Sequence, residues 1–235
     1  MQWTVQNVAH AFNVSEKTVY RWMKERGLPA CRDGHFYRFS KDEVLEWATT
    51  QRIPLAPSFL GAVENGNPPL PLLCEALRAG GVFHDLPGTD KATVLRQVVE
   101  SLRLPANVPR ELVFQVLWAR ESLASTGLGD GIAIPHPRNP IVLNVTSPSV
   151  TLCFTRQPVD FGAVDGKPVF ALFTLISPTV KTHLHLLSRL ACCLRDEHFK
   201  SLLAARAGER EIFAAVQKIE ASLAEKQKTS VAATP

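Results

Sequence analysis

Apolar residues recur at helical spacing in the first stretches of the chain. Val5, Val8, Ala9 and Phe12 share a face behind Thr4, a hydroxyl placed to cap a first turn. After Phe12-Asn13-Val14, Ser15 is the next cap, and Val19, Trp22 and Met23 lie on one side of residues 16–26. Gly27 and Pro29 then stop that helix. Two helices joined this closely have helix-turn-helix spacing. Asp33-Gly34 is a two-residue hairpin signal, with Arg32 on one flank and Phe36-Tyr37-Arg38-Phe39 on the other, so a short two-stranded wing is predicted. Ser40-Lys41-Asp42-Glu43 reads as a capping box ahead of a third helix through Val44, Leu45, Trp47 and Ala48. These elements make residues 1–52 a unit of their own.

Residues 53–69 are rich in Pro, Gly and Asn and read as a linker, stiffened by its prolines. The pattern then changes. A short helix is predicted over 70–79 and a strand over 81–86, ended by Pro87-Gly88. A helix behind Thr89-Asp90-Lys91 carries Val94, Leu95, Val98, Val99 and Leu102 on one face. The next opens with Pro109 at its first position, turns Leu112, Val113, Val116 and Leu117 inward, and ends near Leu123. Strands follow over 150–155 and 169–176, the second apolar throughout and so buried on both faces. Pro178-Thr179 introduces a long helix to about residue 195, and a last helix runs over about 209–221. The polar tail, 223–235, is expected to be disordered. Helices and strands alternate irregularly, which predicts an α/β (α+β mixed) fold: a small winged helix-turn-helix domain, then a mixed sheet covered by helices over 70–222.

Composition narrows the function classes. Of 235 residues 46% are hydrophobic, enough for a real core, and the net charge of +4 is too small for a polybasic binder. The longest apolar stretch, residues 169–176 interrupted by Thr174, is far short of the roughly 20 residues of a membrane span. The first residues lack a signal-peptide pattern, and the five cysteines are odd in number without C-x-x-C spacing. Free thiols in a reducing cytoplasm are the expectation.

The stretch with candidate chemistry is Ser125-Thr126-Gly127-Leu128-Gly129-Asp130-Gly131-Ile132-Ala133-Ile134-Pro135-His136-Pro137-Arg138. Three glycines at alternate positions predict a flexible, close-approach loop, and residues 131–134 a short buried strand. Pro135 and Pro137 push their preceding residues towards extended backbone, so His136 sits at a strand end between two stiff residues. The spacing leaves two readings open: a turn histidine, or a presented imidazole that acts as nucleophile or base. No G-x-x-x-x-G-K-[ST] loop is present; Gly162 to Lys167 is one residue short and is followed by Pro168. No H-E-x-x-H is present either, so neither a nucleotide site nor a zinc hydrolase has its motif, and no metal or other cofactor is expected.

The segment GLGDGIAIPH resembles the active-site segment of the type 2 enzyme IIA domains of the bacterial phosphotransferase system, including the nitrogen-related branch, and the likeness extends from about Leu70 to about Ser222. The resemblance implies that His136 accepts a phosphoryl group from the histidine phosphocarrier protein. It implies that Arg120, in the Arg120-Glu121 and Thr126-Gly127 pairing, supplies a cation, and that His183 is the second histidine beside the first. Residues two apart on a helix point about 200° apart, so only one of His183 and His185 can face the site. His183, at the start of its helix, is expected to serve both as a side-chain donor and through free backbone N–H groups around it. Such a phosphohistidine carrier is transferase-like rather than a turnover enzyme. It also needs an exposed imidazole. Pro137-Arg138 replaces the family's usual following pair.

Residues 1–52 resemble the excisionase-like, MerR-related winged helix-turn-helix, through S-x-x-T-V-Y-R-W and R-F-S-x-x-E-V-x-x-W. That makes DNA a partner, with Ser15, Lys17, Thr18, Arg21 and Lys24 on the recognition helix and Arg32 and Arg38 on the wing as contacts. Eight Lys and Arg against six Asp and Glu over 1–52 give one copy a weak grip, so a homodimer or paired sites are expected. Two functions of different class result: a phosphorylation-responsive DNA-binding regulator, or a phosphocarrier that passes phosphate to a sugar transporter subunit.

Overall fold

The computed structural model describes residues 2–33, 36–51, 53, 56 and 70–232. It divides between Leu70 and Pro71 into two compact units.

The N-terminal unit runs β1 (Gln2–Trp3), α1 (Val5–Phe12), α2 (Glu16–Glu25), β2 (Cys31–Asp33), β3 (Phe36–Ser40) and α3 (Lys41–Thr50). At α1 and α2 the N-caps are those the sequence predicts. Thr4 and Asn7 form a reciprocal capping box at α1, with Asn7 N–H donating to Thr4 Oγ1 at 3.2 Å and Thr4 N–H to Asn7 Oδ1 at 2.9 Å. Ser15 Oγ accepts from Thr18 N–H at α2. Asn13, left-handed at φ 51°, reverses the chain between the two helices. Trp22 ties the helices together: its ring meets Phe12 edge-on at 5.7 Å and Trp47 at 5.3 Å, while Trp47 Nε1–H donates to the Arg26 carbonyl at 2.8 Å. The wing pairs Cys31 to Asp33 with Phe36 to Arg38, and Asp33 stands opposite Phe36. The predicted Asp33-Gly34 turn falls outside the described residues at Gly34 and His35, as does most of the predicted linker. Strand β1, too short to leave a periodic signal, adds to β3 and gives the order β1-β3-β2.

The C-terminal unit comprises α4 (Leu73–Gly80), β4 (Val82–Leu86), α5 (Lys91–Ser101), α6 (Arg110–Leu123), β5 (Gly127–Gly129), β6 (Ile132–Ala133), a short 3₁₀ turn (Pro140–Leu143), β7 (Ser149–Val159), β8 (Val169–Ile176), α7 (Val180–Cys193), α8 (Glu197–Ala204) and α9 (Glu209–Ala232). The sheet order is β4-β7-β8-β6-β5. The β4–β7 and β6–β8 pairs are parallel, and the β7–β8 and β5–β6 pairs antiparallel. Two apolar layers sandwich it. Ala171, Phe173 and Leu175 of β8 join the layer that includes α4, α7, α8 and α9, while Val169, Leu172 and Ile176 join the one built with α5 and α6. Strand alternation thus sends successive apolar residues to opposite layers, and β8 is buried on both faces as its composition predicts.

Several boundaries differ from the sequence expectation. Pro109 caps α6 rather than opening it; Val113, Phe114 and Leu117 are buried, and Leu112 is 36% exposed. Helix α8, only 8 residues long, left too short a pattern to read. The tail expected to be disordered continues α9 to Ala232: Ala, Glu, Lys and Gln favour helix, and no Pro or Gly interrupts them before Pro235. Helix α4 begins only at Leu73, after Pro71; its own Glu75 accepts from Leu72 N–H at 3.1 Å, but the N-cap Leu72 offers no side-chain acceptor for the N–H groups that follow. Instead the buried Glu220 carboxylate of α9 accepts from Leu73 N–H at 2.7 Å and Cys74 N–H at 3.0 Å.

Candidate phosphoryl-acceptor site

The site is built where β6 runs out beside β8. The glycine-rich stretch expected to be a flexible loop is an ordered hairpin, pairing Gly127 with Ala133 and Gly129 with Ile132. Asp130 (φ 54°) and Gly131 (φ 73°) turn it, the two left-handed residues that a tight hairpin requires. A Cβ at Gly131 would come within 2.4 Å of the Phe170 ring, so only glycine fits. Asp165, which carries no signal of this role in the sequence, latches the tip: its carboxylate accepts from Asp130 N–H at 2.9 Å and Lys167 N–H at 3.1 Å.

Beyond the hairpin the chain keeps to the sheet. Ile134 N–H donates to Thr126 O at 3.0 Å, and Leu175 N–H to Pro135 O at 3.3 Å. His136 then lies only 6% exposed, against the expectation of an exposed imidazole. Its Nδ1 is 2.6 Å from the Ile134 carbonyl oxygen. A carbonyl can only accept, so Nδ1 is assigned the proton and the lone pair of the neutral ring resides on Nε2. Burial first, and then the Arg120 charge, lower the His136 pKa to about 4 against the opposing pull of the Ile134 carbonyl. The ring is therefore neutral near pH 7.

The structure brings the three sequence-predicted residues together. The His183 ring, from α7, lies 5.3 Å from that of His136 at a 44° tilt. His183 is 4% exposed; burial and then the nearby His136 push its pKa well below the usual imidazole value. Its Nδ1 is buried and meets no hydrogen-bond partner among the described residues. Arg120, 5% exposed at the end of α6, donates through Nη1 to the Ala124 carbonyl at 2.7 Å and acts electrostatically on His136. One expectation fails. The backbone around His183 is largely committed: its own N–H donates to Thr179 O, and Thr182 N–H to Thr179 Oγ1. His185 faces elsewhere, as the helical spacing requires. Burial holds it near 4, and its ring bonds to Pro71, necessarily at the carbonyl.

On the N-terminal unit, Lys17, Arg21, Lys24 and Arg32 are exposed, and Thr18 and Arg38 are half-buried. The Ser15 and Thr18 hydroxyls stand 3.0 Å apart and serve the α2 cap, so they are committed to the helix start. Tyr20 of α2 packs edge-on against Tyr37 of the wing at 6.0 Å, which fixes the wing beside the helix.

Residues 75–219 match the family model described as "Phosphoenolpyruvate-dependent sugar phosphotransferase system, EIIA 2". The chain belongs to that family. EIIA domains accept a phosphoryl group from phosphocarrier proteins and pass it on. Residues 4–52 match a "Helix-turn-helix domain" model, so this EIIA domain follows a helix-turn-helix domain. A nitrogen regulatory protein of Pseudomonas aeruginosa is 40% identical over 124 residues, 51% of this chain and 78% of that protein. A fructose-specific EIIABC component of Bacillus subtilis is 31% identical over 137 residues, 57% of this chain and 21% of that protein. The crystal structure of the nitrogen regulatory protein IIA-Ntr from Neisseria meningitidis covers 61% of this chain and 98% of that one, with a TM-score of 0.54 and 32% identity. Among the described residues no helix is long and apolar enough to cross a membrane.

Proposed function

We propose that the chain is a phosphorylation-responsive DNA-binding regulator in which His136 accepts a phosphoryl group from the histidine phosphocarrier protein. The observation that carries the reading is the Nδ1 to Ile134 carbonyl bond at 2.6 Å, beside His183. It directs the Nε2 lone pair at the incoming phosphorus. The new bond forms between Nε2 and phosphorus, the P–N bond to the donor's imidazole breaks, and its electron pair returns to the donor nitrogen. Ile134 O keeps the Nδ1 proton and stabilises the charge that the ring acquires. Arg120 and the His183 ring stabilise the phosphoryl oxygens. Arg21 and Lys24 of α2, with Arg32 on the wing, bind DNA phosphates and base edges, in two copies for specificity.

The chain is mixed with enzyme I, phosphocarrier protein and phosphoenolpyruvate and read by intact mass. Wild type gains one acid-labile phosphoryl group and His136→Ala none; full labelling of the variant overturns the assignment. The fructose-specific relative supports a second reading, a carrier that hands phosphate to a transporter subunit. Binding of phosphorylated and unphosphorylated protein to genomic fragments at one salt concentration separates the two. A difference supports the regulator, whereas equal affinities favour the carrier.

A further inference from the structure

A series of hydrogen bonds leads away from the imidazole to a residue with no direct contact to the reacting atoms. Glu121 is 4% exposed, and a buried carboxylate costs several kcal/mol unless it is paired and bonded. Here it is both. Lys91 Nζ, at the start of α5, lies 2.9 Å from Oε1. Thr126 donates its N–H to Oε2 at 2.9 Å and its hydroxyl to the same oxygen at 2.5 Å. Thr126 O accepts from Ile134 N–H at 3.0 Å, and Ile134 O accepts from His136 Nδ1–H at 2.6 Å. Two helices, the hairpin edge and the imidazole are joined in one bonded run.

The hairpin needs this support. Strand β5 is the edge of the sheet, only 3 residues long, and its pairing with β6 slips between Gly127 and Gly129. Strand β5 pairs with β6 alone, so the rest of the sheet does little to hold its register. We infer that Glu121 is a positioning residue: its carboxylate, fixed by Lys91, clamps Thr126 so that the Ile134 carbonyl stays set against Nδ1 of His136. The clamp decides which ring nitrogen holds the proton and where the other one points. Arg120, its neighbour in sequence, supplies charge; Glu121 supplies alignment. The chemical meaning of this rests on His136 being the acceptor.

The test uses the full chain labelled with ¹⁵N-histidine, with the ring nitrogens of His136 read by NMR at neutral pH. Wild type shows the single Nδ1–H tautomer. Glu121→Ala gives a mixture of tautomers, and single-turnover uptake from the phosphorylated phosphocarrier falls by roughly one to two orders of magnitude, the usual effect of misaligning a reacting group. Glu121→Gln, which keeps an oxygen for Thr126, restores the single tautomer. A merely structural Glu121 would leave the tautomer ratio of the folded protein unmoved, and that result overturns the inference. If Glu121→Ala does not fold, the double variant Lys91→Met with Thr126→Val, which removes two of the carboxylate's three donors, reads the same ratio, and an unmoved ratio there is equally decisive. The tautomer measurement needs no phosphoryl donor. A wild type that takes up no phosphate sinks the acceptor assignment while leaving the clamp to stand or fall on the NMR result.

Discussion

Mild acid should destabilise the EIIA domain, because it buries neutral histidines. His136 and His185 are held at about 4 in the fold against an ordinary 6.5, and His183 is lowered as well. For each, the unfolded chain binds a proton that the fold refuses. Stability is therefore intact above pH 6.5 and is lost as pH falls below it; for His136 and His185 the loss runs through the window from 6.5 to 4 and ends there. Between pH 7 and pH 5 each of the two rings near 4 costs about 2 kcal/mol, approaching about 3 kcal/mol at the bottom of the window. Together they remove about 4 kcal/mol by pH 5, a large part of a typical domain's 5–15 kcal/mol. The depressed carboxylates of Asp90 and Asp165 titrate below this window and do not confuse it. Urea unfolding followed by hydrogen exchange in peptides of β7 and β8, corrected for intrinsic exchange, measures the stability of this unit alone at pH 7, 6 and 5. His136→Gln and His185→Gln should each flatten the slope by about one proton. Equal stability at pH 7 and 5, or an unchanged slope in both variants, refutes the reasoning.

Arg120→Ala should slow phosphoryl uptake by roughly ten- to a hundredfold, the worth of a charge-assisted hydrogen bond, and should raise the His136 pKa by removing a charge that depresses it; stopped-flow transfer and ring titration check the two effects, and Arg120→Lys should restore the pKa. Gly131→Ala forces a side chain into a left-handed site against the Phe170 ring and should cost about 1–3 kcal/mol in urea. Arg21→Ala and Lys24→Ala should each lower the slope of log affinity for DNA against log salt by about 0.9; an unchanged slope in both would remove α2 from the DNA interface.

Much of the fold was legible because its signals are local. Thr4, Ser15, Asp90 and Thr179 all cap the helices that they precede, and the unbroken apolar run of β8 is flanked by two packed layers. Arg120, His136 and His183 converge, but they were singled out by likeness to a family, not by spacing. The hairpin lesson is double-edged. Asp33-Gly34 carries a turn signal between two strands with side chains to pair, whereas Asp130-Gly131, the same dipeptide, turns a hairpin whose glycine strands read as a flexible loop. Short glycine strands give no hydrophobic alternation, so nothing local flagged them. Glu121 and Asp165 were illegible for a different reason. Their meaning lies in partners brought close by the fold, such as Asp165 holding a residue 35 positions away. Leu112 misled because it stands at the edge of the apolar stripe: Val113 and Leu117 beside it are buried, while Leu112 is left 36% exposed.

The carboxylate of Glu220 has a consequence for the order in which this domain can be made. Helix α4, the first helix of its unit, bonds its Leu73 N–H to a side chain 147 residues downstream, and its Cys74 N–H to the same carboxylate. While the chain emerges from the ribosome, α4 leaves the exit tunnel long before its cap has been synthesised. The layer that α4 shares with α7, α8 and α9 cannot close until the last of these is available. The helix-turn-helix domain, whose own contacts are all complete by then, can fold as soon as it appears. Nascent chains halted just before Glu220 should therefore carry a finished N-terminal domain ahead of an EIIA domain still open along one side of its sheet.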